Sequence, residues 1–320
     1  MPLRFIAASL AAATALFSVT HAGAQETGAT PDWCGSQWGP QDQAGAANRL
    51  TSEMAKRAAG LVTTGKTYAL SIESNAKTPA FGDRGIRIVV NQPGSVGGAA
   101  LGSNRATYND DFLAAHMGIG TQIDGLGHAG QDHVYYNCNK ASDFAQAGGL
   151  TKLGIEHIPP IATRGILLDM TEHYGADPVP AGTAFNAQDI EAQAKSQGVE
   201  IGEGDVVLFH TGWMQAHIAD AATFLGGEPG LGYEGAQYLA SRGVVAVGAD
   251  NWGVEVSPGD RGAEAMSVHL ELLAKEGIYI LEYVKTEELA ADDVSEFMFV
   301  LGTPKITGLV QGIVTPVAIR

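Results

Sequence analysis

The chain has 320 residues, 45% of them apolar, with 42 glycines and a formal charge of −16. Such a composition describes a globular protein rich in tight turns, and its acidic balance excludes nucleic acid and anionic membranes as natural partners, since both carry like charge. Length alone leaves open whether the chain buries one large core or two smaller ones.

The first two dozen residues stand apart. Arg4 precedes an apolar run from Phe5 to Val19 and then Ala22-Gly23-Ala24, a small-x-small cleavage signal. That pattern predicts a secretory signal peptide over residues 1–24, with residues 25–320 as the mature chain. Removing it leaves 18 Lys+Arg against 35 Asp+Glu, a formal charge of −17. No later segment is long and apolar enough to span a bilayer, so the expected address is periplasmic or secreted. Cys34 and Cys138 remain as either one disulfide or two buried small hydrophobes.

Gln37 to Asn48 is rich in Gly, Ala and turn residues, and Trp38 within it lies outside any regular apolar period, as a pocket wall would. Thr51-Ser52-Glu53 starts a helix running to about Ala59. Strands are expected at Tyr68–Ile72 and Ile86–Val90, with a mobile loop from Asn91 to Arg105. Next, Gly118 to His133 packs the amide oxygen of Gln122, the carboxylate of Asp124 and the imidazole of His128 into seven residues. Glycines around them let the backbone turn sharply and converge those groups, as a metal site requires.

Beyond it, helix and strand alternate. Strands are expected at Arg164–Met170, Val206–Phe209, Val244–Val247, Ile278–Tyr283 and Phe297–Leu301. Helices are expected from an Asn186 cap to before Gly198, over Tyr233–Ser241 and over Ala265–Lys275. This alternation predicts a single-domain α/β fold with a mixed sheet. His210, Asp250 and Glu282 fall at strand ends, where open α/β sheets bind ligands. Glu282 shares a strand face with Ile278 and Ile280 and would be an unpaired buried charge without a cation, while His269 lies on the preceding helix. Signatures of serine hydrolases, phosphate loops, dinucleotide folds and His-Glu-x-x-His metalloproteases are absent. Metal-assisted chemistry remains.

Gly120-Thr121-Gln122-Ile123-Asp124 with His128 resembles the His-x-Gly-Thr-His-x-Asp-x-Pro-x-His signature of the cyclase family of metal-dependent hydrolases, the kynurenine formamidase and isatin hydrolase type. The resemblance extends through Trp38-Gly39-Pro40, Thr163–Asp169, Thr211-Gly212-Trp213, Pro229-Gly230-Leu231, Gly248-Ala249-Asp250, His269 and Glu282. It implies a swivelling β/β/α fold, a homo-oligomer, and opening of a small amide, lactam or lactone with a divalent Zn or Mn ion. Carried over by position, it makes Gln122, Asp124, His269 and Glu282 ligands of one ion, leaves room for a second, and makes His128 the general acid/base. Gly118 stands where the signature has its first His, and His116 is the nearest replacement. Gln122 stands where the signature has its second His. This Gln-bearing form resembles the branch containing trans-dienelactone hydrolase, which implies a lactone. Trp38, Trp213 and Trp252 are expected to wall a pocket for a flat small molecule. The two lost imidazoles motivate an alternative, an exported small-molecule-binding protein without turnover.

Overall fold

A computed structural model describes residues 31–91 and 98–320, and residues 31–320 form one compact unit. The expected signal peptide lies outside the described residues, as does the 92–97 part of the expected loop. No helix among the described residues is long and apolar enough to cross a membrane.

Nine strands make one mixed sheet: β1 (Thr67–Ala69), β2 (Gln122–Asp124), β3 (Ile161–Asp169), β4 (Val206–His210), β5 (Ala246–Ala249), β6 (Tyr279–Glu282), β7 (Glu296–Leu301), β8 (Gln311–Ile313) and β9 (Val317–Ile319). Their order across the sheet is β1-β9-β7-β3-β4-β5-β6-β2-β8. The central four, β3 to β6, run parallel, and antiparallel strands flank them on both sides. The parallel strands are continuous apolar runs because both of their faces are covered, and every residue of β4 is buried. Helices α1 (Ser52–Ala59), α2 (Ala187–Ser196) and α3 (Tyr233–Ser241) lie on this frame, α1 and α2 packing on β3 and α3 on α2. Thr51 caps α1 by accepting from the Met54 N–H, and Asn186 and Asp189 form a reciprocal capping box on α2.

Several expected boundaries move. The strand expected at Tyr68–Ile72 pairs only over Thr67–Ala69, because the Leu70 N–H turns to the Pro316 carbonyl and the Ile72 N–H to the Thr121 hydroxyl. The strand expected at Val244–Val247 is paired at Ala246–Ala249 and runs through Gly248. A Cβ there would come within 3 Å of Leu208 and Leu281, so glycine is what lets the neighbouring strands close up. The helix expected from Ala265 begins at Ser267, runs to His269, and widens into π-type turns over Leu270–Lys275. Leu101, within the expected loop, pairs with Ala106 just beyond it across a tight turn.

Candidate metal centre

Short β2 decides the geometry. In its antiparallel ladders Gln122 lies opposite Glu282 on β6, and Asp124 lies opposite Gln311 on β8. Directly paired residues share a sheet face, so Gln122, Asp124, Glu282 and Gln311 form one polar patch while Ile123 and Leu281 enter the core behind it. Gln122 and Asp124 are 1% and 0% exposed.

The Gln122 amide donates to Glu282 Oε2. That bond fixes the amide orientation, because the reverse flip would set its oxygen against a carboxylate. Gln122 Oε1 is then a buried acceptor with no partner, and so is Asp124 Oδ2. The other Asp124 oxygen accepts from Gln311 Nε2 at 2.6 Å. Leaving such atoms bare costs free energy, and a cation is the group that satisfies a carboxylate oxygen and an amide oxygen together.

His269 reaches the patch from the sheet's far side in sequence. Glu255 Oε2 accepts from the Val268 and His269 backbone N–H groups, both at 3.1 Å, and lies 2.9 Å from His269 Nδ1. With the proton held on Nδ1, the Nε2 lone pair points inward, 3.8 Å from Asp124 Oδ2 and 3.5 Å from Glu282 Oε1. A carboxylate behind a ligating imidazole is the usual arrangement for orienting it. His128 arrives on the turn after β2, closed by its N–H to the Gly125 carbonyl at 3.0 Å, with Nε2 3.9 Å from Asp124 Oδ2. Asp124, His128 and His269 offer ligand atoms all within 4.8 Å of one another.

The electrostatics agree. Burial pushes the Glu282 carboxyl up, as does the neighbouring Asp124 charge, against His269. Burial opposes charge on His269, but Glu255 and Glu282 outweigh it and raise its pKa well above the ordinary value. Both shifts run in the direction that a bound cation would reverse. Burial lowers the His128 pKa despite Asp124, which favours the neutral, proton-accepting ring.

The residues expected from sequence therefore divide. Gln122, Asp124, His269, Glu282 and His128 come together. His116 does not: it is exposed on the hairpin formed by Ile86–Val90 and Asp111–Ala115, its ring accepting the Gly85 N–H at 3.0 Å. His210 is engaged elsewhere, 2.7 Å from Thr286 Oγ1 and 3.3 Å from Asp250 Oδ2. Asp250 also accepts the Thr211 and Gly212 N–H groups, so that pair locks a strand end. Of the expected pocket walls, Trp213 is packed with Met214, Phe224 and Tyr283, its indole N–H donating to the Phe224 carbonyl. Apolar burial makes it a core residue. Trp38 packs on the main core beneath the Arg49 guanidinium. Trp252 is half-buried with its ring edge-on to Phe81 at 4.5 Å; its backbone N–H donates to the fully buried Glu228 carboxyl, while its indole N–H has no partner among the described residues. Glu255, Gln311 and Glu228 were not indicated by sequence, since each acts through a partner remote in the chain.

A family model described as "Putative cyclase" matches residues 68–256, which include Gln122, Asp124 and His128. A solved structure described as a novel cyclase is 29% identical, with a TM-score of 0.80, covering 88% of this chain and 96% of its own. An isatin hydrolase bound to the product analogue thioisatinate is 18% identical, with a TM-score of 0.61 and coverage of 85% and 99%. Isatin hydrolase A from Ralstonia solanacearum is 18% identical, with a TM-score of 0.60 and coverage of 84% and 97%. No curated protein matches the sequence.

Proposed function

Because the chain belongs to the cyclase family, we propose that it is a metal-dependent hydrolase that opens a small amide, lactam or lactone. The observation that carries the proposal is the pair of buried, unpartnered oxygens, Asp124 Oδ2 and Gln122 Oε1, with the inward nitrogen of His269 3.8 Å from the Asp124 oxygen. With Glu282 they make a mixed nitrogen and oxygen donor set that suits Zn or Mn. When bound, the cation would polarise the substrate carbonyl and make water more acidic.

The chain's own residues do the rest. His128 takes a proton from the attacking water and returns it to the leaving nitrogen or oxygen, a task for which its lowered pKa keeps it neutral near pH 7. Glu255 holds the His269 tautomer, Gln311 holds the second Asp124 oxygen, and Trp252 with Phe81 presents an apolar wall to a flat ring. The same proposal includes export to the periplasm or medium, supported by the Cys34–Cys138 disulfide, and self-association, supported by the exposed Ile88, Phe112 and Leu113 of the hairpin.

The test is metal analysis of protein purified without added metal, followed by a hydrolysis screen of lactones, cyclic imides and N-formyl aromatics before and after chelation. One bound ion with chelator-sensitive turnover is expected. A second reading, ligand binding without turnover, is favoured by glycine at position 118, where the space for a side chain is taken by Arg84 and Gln311. Metal retention with no turnover across the screen would support that reading instead.

A further inference from the structure

The turn Phe81–Arg84 brings two different groups to the candidate site. Its backbone closes with the Arg84 N–H on the Phe81 carbonyl at 3.3 Å, and the Phe81 ring, 40% exposed, meets Trp252. The Arg84 guanidinium turns to the β2 approach, with Nη1 3.4 Å from the Gly118 carbonyl. A Cβ on Gly118 would sit 3.1 Å from Arg84 Nη1 and 3.1 Å from the Gln311 amide, and that amide already holds Asp124. Glycine at 118 thus makes the room in which a fixed cationic group stands beside the ligand cluster.

Among the described residues no carboxylate lies within ion-pair distance of Arg84, although the chain carries 35 acidic residues and 19 basic ones. Arg49, Arg164, Arg242 and Arg261 are paired with carboxylates, whereas within the described residues Arg57, Arg87, Arg105 and Arg320 are not; Arg84 differs from these four in standing beside the candidate centre, against Gly118 and the Gln311 amide. An exposed guanidinium with no carboxylate partner, carried on the same turn as Phe81 and held beside the candidate metal centre, keeps its donors other than the one on the Gly118 carbonyl free for an anion.

Resting on the hydrolase reading above, we propose that Arg84 is a specificity-determining residue that binds a carboxylate carried by the substrate. The substrate class is then a cyclic amide or lactone bearing an acidic group in addition to the bond that is opened. The ring lies toward Phe81 and Trp252, the scissile carbonyl toward Asp124 and His269, and the carboxylate on Arg84.

Two probes test this without turnover. Benzoate carries one carboxylate and phthalate two on the same flat ring, so phthalate can meet the cation and Arg84 together. Both are titrated calorimetrically into zinc-loaded wild type, Arg84→Gln, Arg84→Lys and, as a control on the same hairpin, Arg87→Gln, with zinc content and thermal unfolding measured for each. Phthalate should bind wild type at least about tenfold more tightly than benzoate, the size expected of a charge-assisted pair. Arg84→Gln should abolish that advantage, Arg84→Lys should restore part of it, and Arg87→Gln should leave it intact, with zinc content unchanged throughout. An undiminished phthalate advantage in Arg84→Gln, or none in zinc-loaded wild type, would overturn the proposal. Failure of wild type to bind zinc would sink the cation reading instead, and benzoate titrated into metal-free wild type and Arg84→Gln would then decide the subsite by the presence or absence of an Arg84-dependent affinity.

Discussion

Asp124 uses its two oxygens for different tasks, Oδ1 for Gln311 and Oδ2 for the space between His128 and His269. Removing the carboxylate should therefore abolish metal retention, whereas His128→Asn should keep the ion and lose roughly 10²–10⁴-fold in turnover. Metal content by mass spectrometry, measured beside the rate, checks both, and equal metal loss in the two variants would make His128 a ligand. His210 gives a pH signature of a different kind. Burial alone would lower its pKa, but Asp250, helped by Asp169 and Asp177, raises it above 6.5. A raised folded value means that the charged pair stabilises fully below pH 6.5 and that this stability is lost as pH rises through the folded value. The gap in Tm between wild type and His210→Gln should be widest in acid and shrink on the alkaline side. A gap independent of pH would remove charge from the account.

At the level of elements, the centre depends on how closely β8 and β2 approach. The Gly125 N–H donates to the Val310 carbonyl at 3.1 Å, and a Cβ on Gly125 would lie 2.7 Å from that same oxygen. Gly125→Ala should push β8 outward and draw Gln311 off Asp124, costing about 1–3 kcal/mol in stability and weakening metal retention. Denaturant unfolding with metal titration reads both effects; unchanged metal affinity would show that Gln311 is dispensable. The parallel strands were legible in the sequence because burial on both faces leaves an unbroken apolar run, and Tyr233–Ser241 was legible because its period and flanking glycines agree. Gln122, Asp124 and His128 were legible because they are local. Gln311, Glu255 and Arg84 were not, since nothing near them in sequence reports which strand or turn they will face. Trp213 misled because a Trp beside a glycine turn reads the same whether it lines a cavity or fills the core.

Over the whole molecule, the N-terminal described segment is tied to the region after the His128 turn. Cys34 is bridged to Cys138, Ser36 N–H donates to Asn137 Oδ1 at 3.0 Å, and the Tyr136 hydroxyl donates to Asp42 at 2.6 Å. The bridge spans 104 residues, so loop-closure entropy predicts about 4–5 kcal/mol of stability. Thiol titration of the unreduced, unfolded protein should find no free cysteine, and Cys34→Ser with Cys138→Ser should lower the denaturant midpoint; two titrating thiols would contradict the bridge. The pairing of Asp124 with Gln311 has a consequence in time. The two residues are 187 positions apart, and β8 lies at the sheet's edge near the end of the described chain. Until β8 has paired, β2 lacks its outer neighbour and Asp124 lacks the amide that directs one oxygen away and the other inward. The candidate ion site is therefore not the local product of the loop that carries its motif: it is complete only once a contact spanning 187 positions has closed, so a cation met earlier would find an unfinished set of donors.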